Sequence, residues 1–225
     1  MGKKVIITGS TGMVGEGVML VCLNSPEIDK VLIINRKTAG YQHPKLEEII
    51  VDDFNNLPSI EQKLTGYDAC FHCMGITSVG TEKQVYHHVT YELTILLAKT
   101  FLKTNKTPDF IYVSGYGTDE KEQAKMEWAR IKGRTENELA AMPFRKFYAY
   151  RPGFIKPYPE QKYAHPYYKY VNWMLPFGRL IHPDGFNTME ELGESMIQLV
   201  LHPAEKKIIK GSDIKLLSRK LHHSQ

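Results

Sequence analysis

A glycine-rich stretch near the start of the chain is the strongest fold signal in this sequence. Residues 5–8 are all β-branched and predict a short buried strand; three glycines then follow at a spacing of three, and an apolar run predicts a helix. This order suits a dinucleotide pyrophosphate, because the turn lets the backbone approach the phosphates and the helix start offers free N–H groups. The candidate ligands in the turn are Gly9, Ser10, Thr11, Gly12, Met13, Val14 and Gly15.

Composition is that of an ordinary globular α/β protein. The 225 residues are 42% hydrophobic and 24% charged, which suits one domain over residues 1–225. The net charge of +4 is scattered, and no basic cluster is interleaved with aromatic residues, so we expect no nucleic-acid partner. No apolar run approaches the roughly 18 residues of a membrane span, so we expect no membrane partner either.

The cysteines and the first residues indicate a compartment. Cys22, Cys70 and Cys73 are odd in number and lie in apolar stretches, which is typical of buried, reduced thiols. The chain runs into its first predicted strand without a separate signal-peptide core, so we expect a cytoplasmic protein. Cys70 and His72 share a strand face, but Cys73 faces away and no second ligand pair follows, so we predict no metal site.

The end of the second predicted strand indicates which dinucleotide is bound. Residues 31–34 form this strand, and Asn35, Arg36 and Lys37 follow it about 20 residues after the glycines, where a Rossmann unit contacts the adenosine ribose. An acidic residue there would accept from the 2′-hydroxyl of NAD, whereas the guanidinium of Arg36 suits a 2′-phosphate. We predict NADP in preference to NAD. The alternative is that Arg36 is a solvent-facing residue at a strand end.

The form TGxTGxxG, from Thr8 to Gly15, resembles the extended and atypical short-chain dehydrogenase/reductase superfamily. The resemblance covers about residues 4–157. It implies an α/β fold with a doubly wound parallel sheet, the Rossmann fold, and a small C-terminal substrate or lid segment over residues 158–225. Residues 158–183 are rich in aromatics, which either line an apolar substrate pocket or pack a small helical lid.

Three further segments match the cofactor-binding pattern of that superfamily. Asp53 and Phe54, after the third predicted strand at 46–51, fall where the superfamily forms its adenine pocket, although Asp53 would also serve as a helix cap. The fourth strand leads into a glycine, where the superfamily has a glycine motif, and Arg-Pro-Gly follows the sixth strand. The residues that the resemblance implies as cofactor ligands are Asp53, Phe54, Cys73, Met74, Gly75, Lys132, Pro152, Gly153 and Phe154.

The resemblance also implies a catalytic constellation, from which this chain departs. The superfamily places a serine after the fifth strand and Y-x-x-x-K on the next helix, where the tyrosine is the acid/base and the lysine lowers its pKa and holds the nicotinamide ribose. Here the lysine is Lys132, but Trp128 stands at the tyrosine position, and Gly115 stands at the serine position when Ser114 is aligned first in a serine pair. The candidate catalytic residues are Lys132, Ser114 and Tyr116, the last as a substitute acid from a glycine-flanked loop.

Two functions stay open on this sequence. If Trp128 only extends the packed stripe of its helix, Lys132 is a ribose ligand without an acid partner. The chain most resembles epimerase-like proteins, the Tat-interacting-protein oxidoreductases and the NmrA-like group. It is therefore either an NADP-dependent enzyme that transfers hydride to a small carbonyl, quinone or flavin-type substrate, or a non-catalytic NADP-binding sensor. The superfamily often uses the helix at 81–104 and the Lys132 helix as dimer faces, so the resemblance also allows a homodimer.

Overall fold

The computed structural model describes residues 2–159, 161–164 and 183–223. The described strands are β1 (Lys3–Thr8), β2 (Ile28–Asn35), β3 (Leu46–Ile50), β4 (Ala69–His72), β5 (Asp109–Val113), β6 (Lys146–Arg151), β7 (Phe154–Lys156), β8 (Phe186–Thr188) and β9 (Ile208–Lys210). The described α-helices are α1 (Met13–Asn24), α2 (Lys83–His87), α3 (Leu93–Thr104), α4 (Glu127–Ala141), α5 (Met189–Leu201) and α6 (Gly211–His223). A π-helical segment (His88–Glu92) joins α2 to α3, and 3₁₀ helices span Phe54–Leu64 and Pro183–Gly185.

Seven of the described strands form one sheet in the order β3-β2-β1-β4-β5-β6-β9, and every neighbouring pair is parallel. The predicted doubly wound Rossmann fold is therefore confirmed. The chain adds β2 and β3 on one side of β1 and the later strands on the other, so the winding direction reverses between β1 and β4. In open α/β sheets a ligand crevice forms at such a reversal, outside the carboxyl ends of the strands.

Both faces of the sheet are covered, which explains why its strands are apolar without alternation. Val5 and Ile7 belong to a hydrophobic cluster that includes residues of α1, α5 and α6. Ile6 lies between them and belongs to the opposite cluster, with residues of the first 3₁₀ helix, α3 and α4. This alternation follows the two-residue period of a strand. The turn that follows β1 is thereby fixed between two packed layers.

The long helix predicted over residues 81–104 is interrupted. The structure has α2, the π-helical segment and α3 in succession. A π-helical turn takes in more residues than an α-helical turn and so changes which side chains share a face; such segments occur frequently at functional sites. Val85, which the sequence places on the apolar stripe, is 47% exposed.

The secondary structure after residue 183 agrees with the local sequence patterns. The spacing of Thr188 and Glu191 predicts a capping box, and the structure forms it at the start of α5. Glu191 donates its N–H to the Thr188 hydroxyl at 3.2 Å, and the Thr188 N–H donates to the Glu191 carboxylate at 2.9 Å. The terminal segments are a strand, β9, and then a helix, α6. Five of the predicted pocket or lid aromatics lie outside the described residues: Tyr167, Tyr168, Tyr170, Trp173 and Phe177.

Candidate functional site

A continuous cleft runs along the carboxyl ends of the strands at the reversal point. One lobe, which we call the Arg36 lobe, has a volume of about 480 Å³. The second, the Lys132 lobe, has a volume of about 400 Å³. Both are lined by Gly12 and by residues 73–76, so they form one elongated site with the glycine turn at its waist.

The glycine turn makes close backbone contacts that leave no room for a side chain. Gly9 has a φ of +78°, and a Cβ there would lie 2.7 Å from the backbone nitrogen of Met74. A Cβ at Gly15 would lie 2.3 Å from the Gly9 carbonyl oxygen, so α1 packs directly on the turn. Gly12 is the N-cap of α1, and no described side chain caps this helix. Its first N–H groups therefore stay available to an anion, and this cradle fits a dinucleotide pyrophosphate.

The structure brings most of the predicted cofactor residues to the cleft. Those that line the Arg36 lobe are Gly9, Thr11, Gly12, Arg36, Asp53, Phe54, Cys73, Met74 and Gly75. Those that line the Lys132 lobe are Gly12, Met13, Val14, Cys73, Met74, Gly75, Lys132, Pro152, Gly153 and Phe154. Ser10 and Gly15 are not lining residues. Both support the turn by packing and hydrogen bonding.

A chain of hydrogen bonds ties the glycine turn to the end of β2. The buried Ser10 hydroxyl donates to Asn35 Oδ1 at 3.0 Å, and Asn35 Nδ2 donates to Glu48 Oε1 at 3.0 Å. Glu48 also accepts from the Thr38 hydroxyl at 2.7 Å and from the Ala39 N–H at 2.8 Å. Burial raises the pKa of Glu48, but these three hydrogen bonds outweigh burial and hold it below its usual value. The network fixes the backbone around the predicted ribose site.

Arg36 and Asp53 reach the Arg36 lobe from two neighbouring loops. Arg36 is exposed and makes no ion pair with any residue that the structure describes, so its guanidinium is available to a phosphate. One oxygen of Asp53 accepts from the Asn55 N–H at 2.9 Å and from its side-chain amide at 2.8 Å. The helix-cap interpretation of Asp53 is therefore confirmed, and its contact with adenine stays a prediction. Phe54 is 4% exposed and forms part of the core under this lobe.

The Arg36 lobe also has a helical wall that sequence reasoning missed. Its members are Val85, His88, Val89 and Leu93. The spacing of Val85, Val89 and Leu93 predicts that they pack into the core, but the helix is π-helical across His88–Glu92. The imidazole of His88 is held by Glu92, with Nδ1 2.6 Å from Oε2. The sequence does not predict that these residues line the cleft, because their apolar spacing is that of an ordinary packed helix.

Lys132 is half-buried in the second lobe. Its Nζ donates to the backbone carbonyl of Ser114 at 2.5 Å. Burial lowers the pKa of Lys132, and the carboxylate of Glu136, one turn along α4, opposes this. Glu136 is itself engaged by Arg151, whose Nε lies 3.0 Å from Oε1 and whose Nη2 bonds to Oε2. Lys132 makes no ion pair with the described residues, so it is a cation in an apolar lobe without a partner carboxylate.

The other two catalytic candidates are placed less favourably. Ser114 is 1% exposed, and its hydroxyl donates to the carbonyl of Tyr150 at 3.1 Å. Tyr116 is 59% exposed and is not among the described residues that line either lobe. The Ser114 hydroxyl is bound to the sheet, and most of the Tyr116 side chain is exposed outside both lobes. This geometry speaks against the catalytic roles predicted for both residues. The Trp128 ring covers the loop just after Tyr116: a Cβ built at Gly117 would lie 3.0 Å from this ring.

His72 is a buried structural residue. Its Nδ1 lies 2.7 Å from the Thr8 hydroxyl oxygen, and its Nε2 lies 2.9 Å from that of Thr94. Thr94 donates its own hydrogen to the carbonyl of Thr90 at 2.8 Å, so Thr94 accepts from Nε2 and Thr8 donates to Nδ1. Burial lowers the pKa of His72 to about 3, which keeps the imidazole neutral. Across the described ranges no three side chains of metal-ligating type are grouped to hold an ion.

Known proteins match the part of the chain that forms the cleft. The family model described as the NAD dependent epimerase/dehydratase family matches residues 5–138, which include the glycine turn, Arg36 and Lys132. The chain is similar to the protein FMP52-1, mitochondrial, of Scheffersomyces stipitis, with 26% identity over 155 residues that cover 66% of each chain. The chain thus spans slightly less than two thirds of the length of this relative.

Solved structures share the fold at low identity. The enzyme WbmF of Bordetella bronchiseptica, in complex with NAD+, matches with a TM-score of 0.65 and 13% identity, over 99% of this chain and 78% of that chain. The carbonyl reductase Sniffer of D. melanogaster matches with a TM-score of 0.62 and 14% identity, over 94% of this chain and 98% of that chain. These likenesses show the Rossmann fold of this chain.

The relatives contradict the predicted cytoplasmic location. FMP52-1 and several similar fungal proteins are named mitochondrial. The prediction was drawn from reduced cysteines and the first residues, and neither distinguishes the cytoplasm from the mitochondrial interior. Of the helices that the structure describes, none has the length and apolar character to cross a bilayer.

Proposed function

The chain belongs to the NAD dependent epimerase/dehydratase family, and from that premise we propose that it is an NADP(H)-dependent reductase of a small carbonyl, quinone or flavin-type acceptor. The observation that carries the proposal is the Lys132 amine, which is half-buried in the apolar Lys132 lobe of the cleft. The other lobe of the same cleft offers Arg36, which forms no ion pair with any described residue. A dinucleotide laid along the cleft would have its two ends in these two lobes.

Each part of the cofactor has residues suited to it. The turn from Gly9 to Gly15 would hold the pyrophosphate on backbone N–H groups, and Arg36 would hold the 2′-phosphate. Lys132 would donate to the nicotinamide ribose. When bound, the reduced nicotinamide would supply the hydride that an acceptor in the Lys132 lobe receives. Met13, Met74, Val113 and Phe154 line that lobe and would exclude water from the acceptor.

A second function is favoured by one observation, the loss of the usual acid and hydroxyl. Trp128 stands at the tyrosine position and packs over Gly117, and Gly115 stands at the serine position. A protein that binds NADP without turnover, as a sensor, could lose both groups while keeping the glycine turn and Arg36. The two functions share cofactor binding and differ in turnover.

Replacing Arg36 with alanine tests the cofactor assignment. We expect the Kd for NADPH to rise at least about tenfold, because hydrogen bonds to a charged group contribute about 1.5–3 kcal/mol. The Kd for NADH should stay within about twofold, since it lacks the 2′-phosphate. Titration calorimetry on both cofactors measures this. Lys37→Ala is the matched control, because it removes an adjacent exposed cation that does not line the cleft. Equal losses for NADPH and NADH would contradict the assignment.

Turnover separates the reductase from the sensor. We expect the wild type to oxidise NADPH with at least one member of a panel of aldehydes, ketones, quinones and flavins. Trp128→Tyr should raise kcat, because a phenol four residues before Lys132 lies on the same helix face. Tight NADPH binding by the wild type without turnover of any acceptor would refute the reductase and support the sensor. The measurement is NADPH absorbance under steady-state conditions.

A further inference from the structure

The loop at Gly115 leaves an open space directly against Lys132. A Cβ built at Gly115 would lie 3.8 Å from Lys132 Nζ, and apart from the chain neighbours of Gly115 it would meet no other atom of the described residues within 4 Å. Gly115 has a φ of +104°, a conformation that a residue with a side chain adopts only with strain. The backbone here is therefore built for glycine. The missing serine side chain leaves a gap that borders the amine.

The amine has hydrogens to offer to this gap. A lysine ammonium carries three N–H donors, and Lys132 uses one of them on the Ser114 carbonyl at 2.5 Å. The carboxylate whose charge acts on Lys132, that of Glu136, is bound by Arg151. Of the described residues, none forms an ion pair with Lys132. Two N–H groups are thus left for the nicotinamide ribose and for an oxygen atom seated at Gly115.

Other proton donors at this lobe are weaker candidates. An indole N–H does not exchange a proton as a phenol does, which excludes Trp128. Tyr112 and Cys73 line the lobe from β5 and from the end of β4. Burial raises the pKa of both, that of Cys73 to about 12. Burial acts in the opposite direction on Lys132 and makes its ammonium the more acidic group.

We propose that Lys132 is itself the proton donor of this site, and that the gap at Gly115 seats the carbonyl oxygen of the acceptor. The inference rests on the proposed reductase function and narrows its substrate class to aldehydes, ketones and quinones, whose oxygen needs a proton. The acceptor carbon gains a hydrogen together with its electron pair, a hydride that bound NADPH would supply, and the C=O π pair moves onto oxygen. That oxygen then forms an O–H bond as an N–H bond of Lys132 breaks. The neutral amine regains its proton from water at the cleft mouth.

The charged and titratable groups around Lys132 allow this role. Glu136 is the carboxylate that raises the pKa of Lys132, and Arg151, which also contacts Glu120 at 3.0 Å, offsets its charge. Tyr112, from β5, and Cys73, from the end of β4, are neutral at physiological pH because burial raises their pKa values. Burial is the largest influence on Lys132 and lowers its pKa toward the range in which a general acid is effective.

Lys132→Arg is the sharpest test, because arginine keeps the cation and its donors but does not release a proton below pH 12. We expect the Kd for NADPH to stay within about threefold, kcat for a carbonyl acceptor to fall at least about tenfold, and the alkaline limb of the kcat–pH profile to disappear. A variant that keeps both kcat and the alkaline limb would overturn the inference. A rise in the Kd for NADPH with kcat unchanged would do the same and would leave Lys132 as a ribose ligand.

A readout without turnover accompanies it. Reductive methylation with ¹³C-formaldehyde and NMR of the full chain, with Lys132→Arg to assign the resonance, gives the pKa of the Lys132 amine. We expect a value below 10.5, the ordinary value for lysine, that matches the alkaline limb. A Lys132 resonance that titrates with the bulk lysines would contradict the inference.

Filling the gap tests the oxygen seat. Gly115→Ala should lower kcat/KM for carbonyl acceptors at least about tenfold while NADPH binding stays within about threefold. Gly66→Ala is the matched control, because Gly66 also has a positive φ, +82°, but lies in open space. Equal effects of the two variants would refute the seat. A wild type without turnover on any acceptor refutes the reductase function itself, whereas turnover that survives Lys132→Arg refutes only this inference.

Discussion

Arg151→Met is expected to lower the free energy of unfolding by about 3–5 kcal/mol, the range for removing one partner of a buried ion pair. Arg151 and Glu136 have side chains only 11% and 4% exposed. Their bonds are bidentate, with Arg151 Nε 3.0 Å from Glu136 Oε1. Methionine covers much of the same apolar surface, so the loss comes chiefly from leaving the Glu136 carboxylate buried without a partner. Urea denaturation at neutral pH measures it.

A second substitution separates this cause from lost packing. Arg151→Met combined with Glu136→Leu removes both charges and should recover at least half of the loss, because the unpaired carboxylate is gone. Lys103→Met is the control for an exposed pair: its partner is Glu61 at 3.4 Å, and 62% of the Lys103 side chain is exposed. That change should cost less than about 1 kcal/mol. A double variant no more stable than Arg151→Met would contradict the unpaired-charge explanation.

The same pair bears on the candidate site. Glu136 lies one helical turn after Lys132, and Arg151 immediately precedes Pro152 and Gly153, which line the Lys132 lobe. The pair thus fixes α4 against the end of β6, next to the lobe that holds the Lys132 amine. Loosening it should weaken the position of Lys132 as well as the fold.

Local sequence signals predicted the parts of this molecule that depend on neighbouring residues. The β-branched run before Gly9 is a buried strand because a parallel sheet is covered on both faces. The Thr188–Glu191 capping box forms because both of its partners lie within one turn. Gly115 and Lys132 are 17 positions apart in sequence and lie close together. Their proximity was predictable because the resemblance supplies a known strand–loop–helix layout.

Contacts between distant segments were not predictable in this way. Glu136 lies on α4 and Arg151 on β6, and no spacing rule pairs residues 15 positions apart on a helix and a strand. The π-helical segment at His88–Glu92 has no sequence signature. Val85, Val89 and Leu93 line the cleft beside it, although their spacing predicts that they pack in the core. Glu16, in the first turn of α1, is buried and accepts the N–H groups of Lys162 and Tyr163 at 2.6 and 2.8 Å, from a segment that no local pattern pairs with it.

The buried imidazole of His72 makes the stability of the folded protein depend on pH. Its neutral imidazole joins β1, β4 and α3 through Thr8 and Thr94, immediately below the glycine turn. Burial lowers its pKa from 6.5 to about 3. Between these two values the unfolded chain binds a proton at this position and the folded chain does not. Stability from this group is therefore complete above pH 6.5 and is lost as the pH falls toward 3.

We expect the free energy of unfolding to fall by about 1.4 kcal/mol for each pH unit below 6.5 from His72 alone, which is about 2 kcal/mol at pH 5. His72→Gln offers one donor and one acceptor but does not titrate, so it should reduce the slope by one proton. Thr8→Val is the matched control: it removes a hydrogen-bond partner and keeps the imidazole, so stability should drop at every pH with the slope preserved. Urea denaturation from pH 4.5 to 8 measures all three proteins. An unchanged slope in His72→Gln would mean that the imidazole is already protonated in the folded protein, and the hydrogen-bond assignment at Thr8 would then be wrong.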